Sequence, residues 1–150
     1  MKIDKATLTD IPQLCTLLDE LFSQEAEFTP NHTLQEKGLS KIISNENVGV
    51  ILVVRKSQKL IGMVNILFTI STALGGRVGN LEDFVVLPEY RNCGIGTKLL
   101  SYAVTFAEKN DCQRITLLTD DDNEDAHRFY ARNGFYRSSM VPFRLNTLDT

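Results

Sequence analysis

The feature that most constrains this chain is a change of hydrophobic period at Gly94. Residues 78–87 before it read as a strand that stops at Pro88. After it, Leu99, Leu100, Ala103, Phe106 and Ala107 recur at helical spacing, and Lys109 and Asn110 suit the helix end. Arg114–Thr119 (RITLLT) then reads as a buried strand. Strand, helix and strand in that order make a βαβ unit, so the two strands are expected to run parallel. The join, Arg91-Asn92-Cys93-Gly94-Ile95-Gly96, puts glycines where the helix begins. Glycine lets a ligand approach the backbone, and the free amides and dipole of a helix start favour an anion. A phosphate or pyrophosphate fits, with Arg91 able to add a charge-assisted contact. A dinucleotide fingerprint would need glycine where Leu99 stands. A Walker loop would need Gly-Lys-Ser/Thr, and the order here is Gly96-Thr97-Lys98. Taken alone, the glycines also fit a plain strand-to-helix turn.

The remaining elements alternate in the same way, which points to one α/β domain over 1–150. Residues 1–8 form a first strand. Asp10 is the expected N-cap of a helix carrying Ile11, Leu14, Leu17, Leu18, Leu21 and Phe22, with Pro12 in its first turn and Gln13 three residues on. A weaker helix spans 33–44. VGVILVV (48–54) and LIGMVNILFTI (60–70), joined by RKSQK, form an antiparallel hairpin. Leu74-Gly75-Gly76-Arg77 is a loop. Residues 123–132 form a short helix closed by Asn133-Gly134, and FYRSSMVPFRLN reads as one bent strand or two short ones.

Composition narrows the function classes. The formal net charge of −3 gives no general attraction to nucleic acid or an anionic membrane. No run approaches the ~18–20 apolar residues of a membrane span. Cys15, Cys93 and Cys112 are widely spaced and odd in number, which argues against a disulfide framework. MKIDKATLTD lacks the apolar stretch of an export signal, so a reduced, cytoplasmic protein is expected. His32 and His127 have no metal spacing. The acidic stretch Asp120–Asp125 fails as a calcium loop, which would need Gly at 125 and Glu at 131 where Asp and Ala stand. No metal is expected.

A longer string sharpens the reading. Leu81-Glu82-Asp83-Phe84-Val85-Val86-Leu87-Pro88-Glu89-Tyr90-Arg91-Asn92-Cys93-Gly94-Ile95-Gly96 resembles the acetyl-CoA-binding motif of the GCN5-related N-acetyltransferase (GNAT) superfamily. A second block, Asn123-Glu124-Asp125-Ala126-His127-Arg128-Phe129-Tyr130 followed by Asn133-Gly134-Phe135, resembles that family's Asn-x-x-Ala-x-x-x-Tyr helix. The resemblance implies a mixed six- or seven-stranded sheet with about four helices, and two parallel strands that splay to admit CoA. It implies that Arg91, Asn92, Cys93, Gly94, Ile95, Gly96 and Thr97 wrap the CoA pyrophosphate, mostly by backbone amides. The pantetheine arm would run along Phe84, Val85 and Val86, with Phe84 and Val86 as backbone contacts. Asn123 would reach the pantetheine, and Tyr130 would lie near the thioester sulfur. It implies transfer of acetyl from acetyl-CoA to the primary amine of a small molecule, an amine, amino acid or amino sugar, with a protein amine or a non-catalytic acetyl-CoA sensor as the other readings. A homodimer is expected by the same analogy.

Acetyl transfer requires a base for the ammonium, donors for the acyl oxygen and a proton for the thiolate. Glu82 and Asp83 are the base candidates, and Glu82 is favoured by the family pattern. Neighbouring strand residues face opposite sides, so only one of the two is expected at the reacting centre. The Val86 amide is the expected oxyanion donor and Tyr130 the expected acid. Glu25, Glu27 and Phe28 end the first helix, where the resemblance implies an acceptor pocket whose carboxylates could attract a cationic amine; the other reading is a solvated helix end. Acceptor specificity is assigned to the loops around 23–34, 71–77 and 136–143.

Overall fold

The computed structural model describes residues 1–25 and 29–148, so Glu27 and Phe28 lie outside the described residues. The chain falls into two units, Met1–Asp120 and Asp121–Thr150.

The first unit is a sheet in the order β1 (Lys2–Lys5), β2 (Gly49–Lys56), β3 (Lys59–Ser71), β4 (Gly76–Val86), β5 (Ile115–Leu117). All neighbours are antiparallel except β4 and β5, which are parallel as the βαβ pattern requires. Helices α1 (Ile11–Phe22), α2 (His32–Ile43) and α3 (Ile95–Lys109) complete the unit. The register builds two faces. Val53 pairs Met63, which pairs Val85; Ile51 pairs Asn65, which pairs Glu82. Ile51, Val53, Met63 and Val85 pack with Leu14, Leu17 and Leu18 of α1 and Leu39 of α2. The alternate residues Leu52, Val54, Val64 and Ile66 are buried on the other face, where α3 packs with Leu99, Leu100 and Ala103.

Asp10 precedes α1, but its carboxylate does not cap that helix. Oδ2 accepts from the Thr7 N–H (2.8 Å), and the Arg55 guanidinium forks onto both oxygens (2.9 and 2.6 Å) while also holding Asp4 (2.8 Å). A charged fork outbids a lone helix amide, and it ties the entry of α1 to β2. The same pairing holds the Asp10 carboxyl below its usual range. Gln13 is likewise diverted: it accepts from the Leu60 N–H (2.9 Å) and donates to the Gln58 carbonyl (3.1 Å), clamping the β2–β3 turn.

The second unit holds α4 (Glu124–Arg132), capped by Asn123, whose side chain accepts from the Ala126 N–H (3.1 Å). Gly134 closes the helix at φ +91, a conformation that favours glycine. Residues 136–148 form no strand, so the described sheet has five strands and not six or seven. Pro142 offers no N–H to a ladder, and Tyr136, Met140, Val141, Phe143 and Leu145 are exposed without a partner edge.

Candidate active site

β4 and β5 are paired only at Gly79–Ile115, Asn80–Thr116 and Leu81–Leu117. β5 then ends while β4 runs on to Val86, so from Glu82 onward one edge of β4 is open. One irregularity shapes this stretch. Asn65 pairs Glu82 and Met63 pairs Val85, so Asp83 and Phe84 together oppose the single residue Val64. This is a β-bulge, and its first residue, Asp83, has φ +56.

The bulge reverses the strand's alternation. Glu82 and Val85 now share the face covered by α1 and α2, and Phe84 and Val86 share the other. Asp83 is not thrown to the far side: Asn65, on the same face as Glu82, donates from Nδ2 to its Oδ2 at 2.6 Å. Glu82 and Asp83 therefore line one cleft, against the expectation that only one could. The cleft is about 360 Å³ and runs between Leu18 and Phe22 of α1, residues of α2 such as Leu34, Leu39 and Ile42, and Asn65 of β3. Burial, and then the charges of Glu82 and Glu25, push the Asp83 carboxyl up to about 7. Glu25 is raised too, first by burial and then by Asp120 and Glu82. In the sequence Glu25 stood at a helix end read either as part of an acceptor pocket or as a solvated end. Its coupling to Glu82 is a property of the fold.

The bulge also decides what the open edge offers. The Leu87 N–H bonds to the Ile61 carbonyl (2.9 Å), so Leu87 faces β3. By alternation Val86 presents its backbone groups to the open edge. The Val86 carbonyl accepts from Arg91 Nε at 2.8 Å, which leaves its N–H for a ligand. Arg91 also reaches Glu20 of α1 at 3.4 Å, so its guanidinium braces the strand end and α1. A phosphate contact by that side chain would compete with both.

The turn after β4 carries Pro88–Tyr90 as a short 3-10 turn, then Asn92 at φ +62 and Gly94 at φ +86. The exposed Cys93 thiol donates to the Tyr90 carbonyl (2.9 Å) and contributes to the turn. Gly94 occupies the N-cap of α3, and the first helical bond runs from the Lys98 N–H to its carbonyl (3.1 Å). The amides of Ile95, Gly96 and Thr97 precede that bond and have no helical acceptor. An open strand edge followed by a free helix N-terminus suits a ligand with an amide-bearing arm and a phosphate group.

In the second unit, Tyr130 packs edge-to-face on Phe129 and Phe135, with ring centroids 5.3 and 5.8 Å away. Burial pushes its phenol up to about 12.

The profile of the Acetyltransferase (GNAT) family matches residues 11–135. The chain is 28% identical over 133 residues to the aminoalkylphosphonate N-acetyltransferase of Salmonella typhimurium, covering 89% of this chain and 83% of that one. The fold matches a possible acetyltransferase of Clostridium difficile 630 with a TM-score of 0.88 at 17% identity, over 99% and 98% of the two chains. It also matches a predicted acetyltransferase of Clostridium acetobutylicum solved with acetyl-CoA, with a TM-score of 0.81 at 22% identity, over 97% and 95%. With the family's profile running through both motifs and the parallel pair leaving the end of β4 open, this chain belongs to the GNAT family and is an N-acetyltransferase.

Proposed function

We propose that the protein acetylates the primary amine of a small molecule, with acetyl-CoA as donor and with residues 1–150 working as one domain. The observation that carries this is the bulge at Asp83, which sets two carboxylates in a cleft of about 360 Å³ beside the open edge of β4. A cleft of that size matches a small ligand better than a folded protein surface. The profile match across both units supports the single working domain.

Acetyl-CoA fits the residues present. The pantetheine arm would lie along Phe84, Val85 and Val86 at the edge that β5 leaves, and the amides of Ile95, Gly96 and Thr97 lack helical acceptors and suit the pyrophosphate, with Asn92, Cys93 and Gly94 shaping the turn around it. Asn123 spends its Oδ1 on the α4 cap and keeps its Nδ2 for a ligand. When bound, acetyl-CoA supplies an activated acetyl thioester.

The chain's own groups then divide the work. Asp83 takes the proton of the acceptor ammonium. A carboxyl near 7 is half-ionised at neutral pH, where base strength and availability are balanced. Glu82 acts with it as a pair, its charge keeping Asp83 basic. The Val86 N–H is the donor offered to the acyl oxygen. Tyr130, its phenol protonated well beyond neutral pH, is the proton donor for the departing sulfur. In sum the amine nitrogen forms a C–N bond as the thioester C–S bond breaks. Of the two protons the ammonium loses, one ends on sulfur and the other leaves through Asp83 to solvent.

An acceptor screen that follows thiol release tests the reading. Turnover of small amines supports it. Turnover confined to peptide N-termini or protein lysines overturns it. The aminoalkylphosphonate of the Salmonella relative belongs in the panel as an anionic amine, because Glu25, Glu82 and Asp83 disfavour an anion beside this cleft.

A further inference from the structure

The sheet side of the cleft presents hydrogen-bond acceptors. Glu82 and Asp83 line it, and so does Asn65, which is 2% exposed. Asn65 spends its Nδ2 on Asp83, and its Oδ1 is buried with no hydrogen-bond partner among the described residues. A buried carbonyl oxygen left unpaired costs stability, so it marks a place where a donor is missing.

A further carboxylate belongs to the chain just beyond α1: the Glu25 N–H bonds to the carbonyl of Phe22 (3.3 Å), a residue that lines the cleft. Its carboxyl is raised by burial and by the charges of Asp120 and Glu82, so it lies within electrostatic reach of the cleft. Among the described residues none of Glu25, Glu82 and Asp83 has a Lys, Arg or His partner. Facing them from α2 and its cap Asn31 the cleft has Leu34, Gln35, Gly38, Leu39 and Ile42, none of them cationic. The set awaits a cation. It is not arranged for one metal ion, since no group of three or more His, Cys, Asp or Glu among the described residues is placed to hold one. Carboxylates that feel one another's charge without converging on a point suit a cation whose charges are spread along a chain.

We propose that the acceptor is a dication, an alkyl diamine or short polyamine, with its reacting amine against Asp83 and Asn65 and its second ammonium held by Glu25 and Glu82. The inference rests on the small-molecule reading and narrows it. The reacting nitrogen donates to the orphaned Asn65 Oδ1 and to Asp83. The second ammonium brings the donors and the positive charge that Glu25 and Glu82 lack, and it disfavours an acceptor with a carboxylate or phosphonate at that end.

The test compares acceptors of equal length. With 1,4-diaminobutane and n-butylamine at low salt, the diamine's kcat/KM should be higher by about 30-fold or more, and the advantage should shrink as salt rises. Glu25→Gln should cut the diamine-to-butylamine ratio by about tenfold. Equal kcat/KM for the two amines, or a higher value for 2-aminoethylphosphonate, overturns the dication while leaving small-amine acetylation standing. Acceptance of peptides alone overturns both. If no amine turns over, calorimetric titration of the CoA-saturated protein with 1,4-diaminobutane decides: binding that weakens in Glu25→Gln supports the dication site, and no binding up to millimolar diamine overturns it.

Discussion

Asn65 Nδ2 lies 2.6 Å from Asp83 Oδ2, joining a buried amide of β3 to the bulged residue of β4. That bond fixes the carboxylate on the cleft side of the sheet. The proposed base is thus held by a neighbouring strand and not by its own.

The first prediction follows from the Asp83 carboxyl at about 7. As the base it must be ionised, so kcat/KM should rise with pH through about 7. Asp83→Asn should lower kcat by about 10²–10⁴-fold and flatten that limb. Asn tolerates positive φ and can still accept from Asn65 through its own Oδ1, so the loss is chemical. A pH–rate profile of both proteins checks it.

The second concerns stability. A carboxyl raised from 3.8 to about 7 in the folded state holds a proton that the unfolded chain has already lost. Between those values the native state binds more protons, so stability falls as pH rises and the penalty is complete above about 7. Asp83→Asn should melt on the order of 3–10 °C above wild type at pH 8, with the gap closing near pH 4. Scanning calorimetry at both pH values reads it.

The third separates the two carboxylates. Glu82 is exposed, and its charge is the second cause of the raised Asp83 carboxyl. Glu82→Gln should move the rising limb of the rate to lower pH and cost less than about tenfold in kcat at pH 8. A loss of ~10²-fold or more without that shift would make Glu82 the base instead.

The fourth addresses the helix start. Gly96 is the second residue of α3, among the amides without a helical acceptor. A branched side chain there would crowd any anion bound to them. Gly96→Val should weaken acetyl-CoA binding by about tenfold or more in a calorimetric titration, with the melting temperature nearly unchanged.

The fifth concerns Tyr130. Phe keeps the edge-to-face packing on Phe129 and Phe135 and removes only the hydroxyl. Tyr130→Phe should lose about 10–10³-fold in kcat while melting normally, because a thiolate can leave unaided and the acid only assists. Full kcat in the Phe variant and a lower melting temperature in Tyr130→Ala would leave Tyr130 as a packing residue.

The parallel pair β4–β5, the hairpin β2–β3 and the glycine turn into α3 were legible, because each rests on hydrophobic period and turn chemistry within a short window. The Asp83 bulge was not. Alternation predicts opposite faces for Glu82 and Asp83, and the only local hint was that Asp tolerates positive φ better than most residues. The coupling of Glu25 to Glu82 and the orphaned oxygen of Asn65 were invisible because they join residues far apart in the chain. The tail misled for the converse reason: residues 136–148 have strand-like composition, but a strand also needs an edge to pair with.

The bulge has a consequence for anyone building chimeras from relatives of this protein. A single extra residue in β4 makes the strand's parity differ on its two sides. A crossover placed between Glu82 and Val85 with a donor that lacks the insertion would turn the Val86 amide toward β3 and its side chain to the opposite face. Every exchanged residue could be identical and the hybrid would still lose its open edge. Junctions before Asn80 or after Leu87 carry the insertion intact, so for recombination the count of residues in this strand matters more than their kind.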